Sequence, residues 1–218
     1  MADQSWEVVA ALVDPVRRSL YEYVRRESHP VTREEAAQAV EISRGLAAFH
    51  LDKLVEVGML SARYEAPSEQ PRGRGRTPKV YVATGDGLTL TLPPRRYELM
   101  ATILADAVAT GTTDAAAAAR EQAAALGHAI GAAGVRTGRA VDRVEQALAD
   151  LGFEPRREAG DIVMNNCPFH PLAQRHTSLI CGINVDFVAG LLAGLGGETL
   201  HAELMPRPGA CCVRVRPQ

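Results

Sequence analysis

The chain has 218 residues, of which 46% are hydrophobic and 23% are charged, and its formal net charge is −2. These values exclude a wholly disordered, collagen-like or coiled-coil chain, and the length allows one large domain or two small ones. No run of about twenty residues is apolar and uncharged, and the first residues lack a basic region. We therefore expect no membrane span and no signal peptide, and we expect a cytoplasmic protein.

The first ninety residues begin with clear helix-start signals. Asp14 followed by Pro15 predicts a helix that runs to about Arg26. Thr32 and Glu35 have the spacing of a capping box, which predicts a short second helix.

A third helix and two strands follow. Ser43 is placed to cap a helix over 44–57, and Gly58 suits the left-handed position that closes it. Residues 59–64 and 79–83 have strand composition and are separated by a long segment rich in proline, glycine and arginine. Three helices followed by a strand, a loop and a strand predict a winged helix-turn-helix.

The third helix is the expected DNA-reading element, because the second helix of a helix-turn-helix enters the major groove. Ala47, Leu51 and Leu54 supply an inward face at helical spacing. The expected DNA-contacting residues of this helix are Ser43, Arg44, Gly45, Ala48, Phe49, His50 and Lys53. Two of them have an alternative interpretation, since His50 can be a packed residue and Phe49 a core residue.

The loop between the strands is the most concentrated basic segment of the chain. Arg72, Arg74, Arg76 and Lys79 occur here with no acidic residue between them. Arginine is favoured in narrow minor grooves, and glycine allows close approach of the backbone. We expect these residues to contact duplex DNA.

The middle of the chain predicts helices. After Pro93-Pro94, residues 95–109 have helical apolar spacing, and the alanine-rich segment 114–133 has the composition of a helix. We expect these helices to link the two ends of the chain and to support a homodimer.

The last eighty residues predict a small antiparallel sheet with helices on one face. The expected helices are 139–152, 168–175 and 178–195, and the expected strands are 153–156, 161–164, 200–205 and 211–215. The resulting fold class is α+β, with a winged helix-turn-helix at 1–92, a helical linker and dimerisation region at 93–138, and a sensor domain at 139–218.

All four cysteines, Cys167, Cys181, Cys211 and Cys212, lie in the last quarter of the chain. In a reducing compartment, clustered thiols are more often metal ligands or redox groups than structural disulfides. Side chains alternate along a strand, so we expect only one of Cys211 and Cys212 to be a ligand.

A fourth ligand is then needed. The histidine candidates are His170, His176 and His201, and a small exogenous ligand or an open position is the alternative.

The segment 43–58, SRGLAAFHLDKLVEVG, followed by GRTPKVY at 75–81, resembles winged-helix regulators of the ArsR/DeoR-like superfamily. The resemblance implies a homodimer on a pseudo-palindromic double-stranded operator, with the third helix in the major groove. The cysteine pair that such proteins often carry near this helix is absent, so their metal site is not carried over.

The cysteine-containing end resembles the sensor domain of SufR-type iron–sulfur repressors. The resemblance lies in the segment 165–170, NNCPFH, then Cys181, then the segment 209–212, GACC. It implies an iron–sulfur cluster, most simply 4Fe-4S, and repression by the cluster-loaded form. The residues themselves also allow a zinc site, a reversible thiol switch, or cysteines that are simply part of a core.

Two other functions are weighed against this one. A small-molecule regulator would place its pocket among Phe187, Leu191 and Leu192, residues that also suit a core. An enzyme using Cys167 and His170 is conceivable, but no phosphate loop, dinucleotide fingerprint, nucleophile elbow or HExxH pair is present. We expect the protein not to be an enzyme.

Overall fold

The computed structural model describes residues 2–65, 77–85, 87, 89–134, 137–197, 199–207 and 209–218. The chain folds into two compact units, Met1–Leu90 and Thr91–Gln218.

The first unit is a winged helix. Its elements in chain order are α1 (Ala2–Val13), α2 (Pro15–Arg26), β1 (Val31–Thr32), α3 (Arg33–Ala39), α4 (Arg44–Glu56), β2 (Leu60–Tyr64) and β3 (Lys79–Ala83). The strands pair antiparallel in the order β1-β3-β2, so the short β1 lies at one edge and β2 at the other.

Local capping explains where these helices begin and end. The Asp14 side chain caps α2, Thr32 and Glu35 form the complete capping box of α3, and the Ser43 hydroxyl caps α4. Each cap satisfies an amide that the first helical turn leaves without a partner. Gly58 has a φ of +78°, a value that glycine adopts at little steric cost, and it closes α4 before β2. These helix limits agree with those predicted from the sequence.

One apolar core holds the first unit together. Its most buried members come from α2, α4 and the sheet and include Leu20, Val24, Ala47, Leu51, Leu54, Leu60 and Tyr81. The buried side of α4 is thereby fixed, and its other side faces solvent.

The second unit combines helices with an antiparallel sheet. Its elements are α5 (Tyr97–Ala109), α6 (Ala115–Ala133), α7 (Ala140–Asp150), β4 (Pro155–Glu158), β5 (Asp161–Met164), α8 (His170–Arg175), α9 (Thr177–Gly194), β6 (Leu200–Leu204) and β7 (Val213–Pro217). The strands pair in the order β4-β5-β7-β6. The α+β class expected from the sequence is confirmed.

The helices α5 and α6 belong to this second core. Met100 and Ile103 of α5 and Ala123 of α6 are buried in one cluster with Phe187 and Val188 of α9. We expected 93–138 to form a separate linking region, and the structure instead packs these helices with the sheet. The apolar spacing of α5 and α6 predicted a buried face, but not which element covers it.

Helix α9 is the centre of the second unit. Within the described residues, α9 is the one helix that is long and apolar enough to cross a membrane, with a mean hydropathy of 1.6. However, 56% of its 18 residues, Thr177–Gly194, are buried inside the protein. It packs against α6, α8 and the strands β6 and β7. Its apolar composition therefore serves the core of this unit.

Glycines let α6 and α9 approach until their backbones touch. A Cβ atom at Gly190 would overlap the carbonyl oxygen of Ala124, and one at Gly127 would overlap the carbonyl oxygen of Phe187. Gly194 faces the carbonyl oxygen of His128 in the same way. Any larger residue at these positions would force the helices apart.

We predict that Gly190→Ala destabilises the protein by about 1–3 kcal/mol, because the added methyl group meets rigid backbone. Gly182→Ala is the matched control on the same helix, since its Cβ would meet only the flexible Arg120 side chain at 3.8 Å. The free energy of unfolding of Gly182→Ala should rise by up to about 1 kcal/mol, because alanine has the higher helix propensity. Urea denaturation followed by circular dichroism measures both, and equal stability of the two variants would contradict the close approach.

Candidate functional site

The exposed side of α4 is the first candidate site. Ala47, Leu51 and Leu54 are fully buried, as expected. The opposite side carries most of the residues expected to contact DNA, with Ser43, Arg44, Gly45 and Phe49 exposed and Ala48 and Lys53 partly exposed. The first turns of the helix therefore present a continuous accessible surface, which we call the α4 surface.

Two large apolar side chains stand out on the α4 surface. Phe49 is 55% exposed, so it is not a core residue. Leu46 is 41% exposed, and the sequence did not single it out. Helical spacing of three residues places both side chains on the same face.

His50 does not belong to the α4 surface. Only 6% of the residue is exposed, and its Nδ1 accepts a hydrogen bond from Nε of Arg17 on α2 at 3.4 Å. The expectation that His50 contacts DNA is corrected, because its position in the helix turns the ring towards α2. The residue instead joins α4 to α2.

The charged residues of the α4 surface have acidic neighbours. Nη1 of Arg44 lies 3.5 Å from Oε1 of Glu34, and Nζ of Lys53 lies 2.6 Å from Oε2 of Glu56. Such exposed ion pairs contribute little stability, so these cations are free to exchange a carboxylate for a phosphate.

A buried tyrosine connects α4 to the wing strand β3. Oδ1 of Asp52 accepts hydrogen bonds from Nζ of Lys79 at 2.6 Å and from the hydroxyl of Tyr81 at 3.0 Å. The pKa of Tyr81 is raised above its ordinary range. Burial is the largest cause, and the hydrogen bond to Asp52 is the second. Lys79 thus fixes the wing strand against α4, in addition to the DNA contact that we expected of it.

The remaining basic residues expected on the wing are Arg72, Arg74 and Arg76. They lie outside the described residues, so their contact with DNA stays a prediction from the sequence.

The second candidate site is formed by the cysteines, all of which are free and buried. Cys167 follows β5, Cys181 lies on α9, and Cys211 and Cys212 directly precede β7. We expected Cys211 to begin a strand, with its neighbour on the opposite face. The strand begins at Val213, so side-chain alternation does not apply and both thiols are buried.

The four thiols interact in the order Cys167, Cys211, Cys212, Cys181. Hydrogen bonding to Cys211, followed by burial, raises the pKa of Cys167 far above its ordinary value. The bond with Cys167 lowers the pKa of Cys211, but the bond with Cys212 and burial together raise it by more. Burial is also the main cause of the raised pKa of Cys181. The raised pKa values favour the neutral thiol at Cys167, Cys181 and Cys211.

A polar clamp holds the loop that carries Cys167. Nη1 of Arg95 donates hydrogen bonds to Oδ1 of Asn166 at 2.8 Å and to the carbonyl oxygen of Cys167 at 2.7 Å. Nδ2 of the buried Asn166 donates in turn to the carbonyl oxygens of Pro94 and Gly152. These bonds fix the backbone from which the thiol extends.

Asn184 is the polar side chain closest to the thiols, and it is only 1% exposed. Its Nδ2 donates to Sγ of Cys211 at 3.3 Å, while its Oδ1 has no hydrogen-bond partner among the described residues. An unpaired buried acceptor costs about 1–3 kcal/mol, which is unusual in a packed core. Its position one helical turn from Cys181 was visible in the sequence, but its contact with Cys211 was not.

The histidines considered as a fourth ligand do not join the thiols. His176 and His201 are exposed, His170 is partly exposed, and within the described residues none of their side chains bonds a cysteine.

Four cysteine side chains are a donor set that zinc or an iron–sulfur cluster takes in proteins. In a tetrahedral zinc site, Zn–S bonds of about 2.3 Å place the sulfurs about 3.8 Å apart. Among the described residues, the one group of three potential ligand atoms that all lie within 4.8 Å of one another is Glu27, His29 and Glu35, so no three of the cysteine sulfurs lie that close together.

The residues of the alternative functions are used for packing. Phe187, Leu191 and Leu192 are buried in the core of the second unit. Within the described residues, the Cys167 thiol bonds Cys211 and has no bond to His170, the partner that an enzymatic pair would require.

We predict that Asp52→Ala destabilises the first unit by about 1–3 kcal/mol, because it leaves the buried Tyr81 hydroxyl without an acceptor. The loss should be smaller when Tyr81→Phe is already present, and a double-mutant cycle of unfolding free energies measures the difference. Glu56→Ala, which removes an exposed carboxylate from the same helix, should cost under about 1 kcal/mol. Additive effects of Asp52→Ala and Tyr81→Phe on the free energy of unfolding would exclude the hydrogen bond between these two side chains.

Comparison with known protein families found a match within the first unit. Residues 12–61, from the end of α1 to the start of β2, are similar to the family model described as a helix-turn-helix domain. Neither the curated proteins nor the solved structures gave a match. The helix-turn-helix match and the winged-helix geometry together support a DNA-binding transcription regulator.

Proposed function

We propose that this regulator binds its operator through the α4 surface and that an iron–sulfur cluster at Cys167, Cys181, Cys211 and Cys212 controls its affinity. The DNA-binding part is supported by the helix-turn-helix match. One observation supports control of operator affinity by a cluster. Four thiols, contributed by three separate segments of the chain, are buried in one group.

In the proposed DNA complex, the first turns of α4 enter the major groove. Arg44 is exposed at the start of the helix, where it can exchange Glu34 for a phosphate or for the edge of a guanine. The first amides of α4 add positive potential towards a phosphate. We expect Arg72, Arg74 and Arg76, from the basic segment between β2 and β3, to supply further phosphate contacts.

We expect the regulator to act as a homodimer on a two-fold operator, as its winged helix implies. Trp6 and Val13 of α1 are large exposed apolar residues that a second copy would cover. A protein of this class works where the DNA is, in the cytoplasm or nucleoid, and the helix-turn-helix favours a regulator over an enzyme.

The cysteines would hold the cluster in a largely apolar environment. When bound, the cluster supplies positive iron centres, and these stabilise thiolates that burial alone disfavours. The thiols would have to release their protons on loading, and Nδ2 of Asn184, which donates to Sγ of Cys211, would be placed to donate to that sulfur. Hydrogen bonds to cluster sulfurs tune the reduction potential, so Asn184 is a positioning residue of the site.

Control requires that loading favour one of two arrangements of the protein. Loading changes the charge and the spacing of four groups inside the core of the second unit. We propose that the loaded protein represses and that loss of the cluster releases the operator.

We predict that protein reconstituted with iron and sulfide without oxygen is coloured and contains both elements in stoichiometric amounts. Cys212→Ala should fail to retain them, because all four thiols act as ligands. His170→Ala, His176→Ala and His201→Ala are matched controls that remove the alternative fourth ligands and should load normally. Elemental analysis with visible absorption is the measurement, and circular dichroism checks that each variant is folded.

Two results would contradict this proposal. Colourless protein containing one zinc ion per chain would establish the zinc alternative. If Cys212→Ala retains iron and sulfide normally and a histidine variant does not, the site consists of three cysteines and one histidine.

We predict that Arg44→Ala weakens binding to a selected operator at least about fivefold, because a good arginine contact with guanine contributes about 1–3 kcal/mol. Arg26→Ala, which removes the same charge from the last turn of α2, should change binding less than twofold. Fluorescence anisotropy at several salt concentrations measures both. Equal losses would mean that net charge, and not the α4 surface, determines affinity.

A further inference from the structure

The α4 surface combines exposed apolar groups with small neighbours. Leu46 and Phe49 are 41% and 55% exposed and lie three residues apart on one face. The adjacent Gly45 has no side chain, and no atom of the described residues lies within 4 Å of a Cβ placed there. Ala48 adds only a methyl group. Leu46 and Phe49 are therefore the large apolar side chains that α4 exposes here.

Their position decides what these side chains meet. Both lie in the first half of α4, the part of a recognition helix that contacts base edges. Single exposed apolar residues are common on protein surfaces and need no explanation alone. Here two of them occupy the centre of a surface whose partner is duplex DNA.

The chemistry of the major groove supplies one apolar partner. Its base edges present hydrogen-bond donors and acceptors, which neither leucine nor phenylalanine can satisfy, and the C5-methyl group of thymine. We propose that Leu46 and Phe49 are specificity-determining residues that recognise thymine methyl groups in each operator half-site. This inference rests on the proposed DNA-binding function and adds the class of base that is read.

The charges around the pair agree with this reading. Arg44 precedes the two apolar residues on α4 and Lys53 follows them. Glu34 pairs with Arg44, Glu56 pairs with Lys53, and Asp52 pairs with Lys79 of β3. With little net positive charge on α4 itself, apolar contacts contribute a larger share of selectivity than they would on a strongly basic helix.

The experiment begins with the full chain and a random-sequence duplex library, from which bound duplexes are selected and sequenced. The selected operator is then synthesised again with deoxyuridine in place of thymine in the half-sites, which removes only the methyl groups. Each methyl group that α4 buries should contribute about fourfold to affinity, so the substituted duplex should bind at least fourfold more weakly.

Variants test whether these two residues recognise the methyl groups. Phe49→Ala should bind the thymine duplex more weakly and should lose most of the difference between thymine and deoxyuridine. Lys53→Ala is the control on the same helix; it should weaken binding to both duplexes and keep the difference. Analytical ultracentrifugation of each variant tests whether the face is covered by a second copy instead.

The outcomes separate the two levels of the proposal. If no duplex is selected, DNA binding fails and the inference fails with it. If a duplex is selected but deoxyuridine binds equally well, the inference is overturned and the proposed regulator stands. A Phe49→Ala variant that dissociates into monomers while keeping its thymine preference would assign this face to dimerisation and would also overturn the inference.

Discussion

The close approach of α6 and α9 is the constraint on which the second unit depends. Glycine on both helices allows backbone to contact backbone, which places α9 deep enough to meet the sheet on its other side. Cys181 and Asn184 are carried on this helix, so the geometry of the cysteine group follows from the packing of a distant stretch of the same helix. The candidate sensor site is a consequence of how the core is built.

Burial has opposite consequences in the two candidate sites. On α4 the polar and charged groups stay near solvent, where their ion pairs exchange readily for phosphates. Around the cysteines, polar atoms are removed from water without full compensation, as the unpaired oxygen of Asn184 shows. Folded proteins rarely retain such a cost without a role for it. The first site is suited to reversible contact, whereas the second keeps a buried oxygen without a partner among the described residues.

Helix limits were predictable because capping is local. Asp14, Thr32 and Ser43 satisfy amides within three residues, so sequence spacing alone predicted α2, α3 and α4. The partner of α5 and α6 was not predictable, because an apolar face can be covered by the same chain or by another. His50 was misplaced for a related reason: helical spacing leaves a residue at the edge of the buried face ambiguous until α2 is in position.

The last strand shows a different limit. The run from Cys211 to Val215 has strand composition throughout, but the regular pairing with β6 begins at Val213 and that with β5 at Arg214. Before that point, Cys211 and Cys212 make single backbone hydrogen bonds to Met164 and Met205. Register is set by the partner strands, which the local sequence does not describe. Because β7 begins two residues later than expected, Cys212 is buried together with Cys211. The number of thiols in the group is therefore four, where the sequence predicted three.

The cysteines also lie far apart along the chain, although they meet in space. Cys211 reaches the others only after its amide has bonded to the carbonyl oxygen of Met164, next to the segment that carries Cys167. A nascent or partly unfolded chain therefore lacks the complete set of thiols, and any metal that requires all of them binds only after the sheet has closed. Occupancy of the site would then report the completeness of folding as well as the supply of the metal.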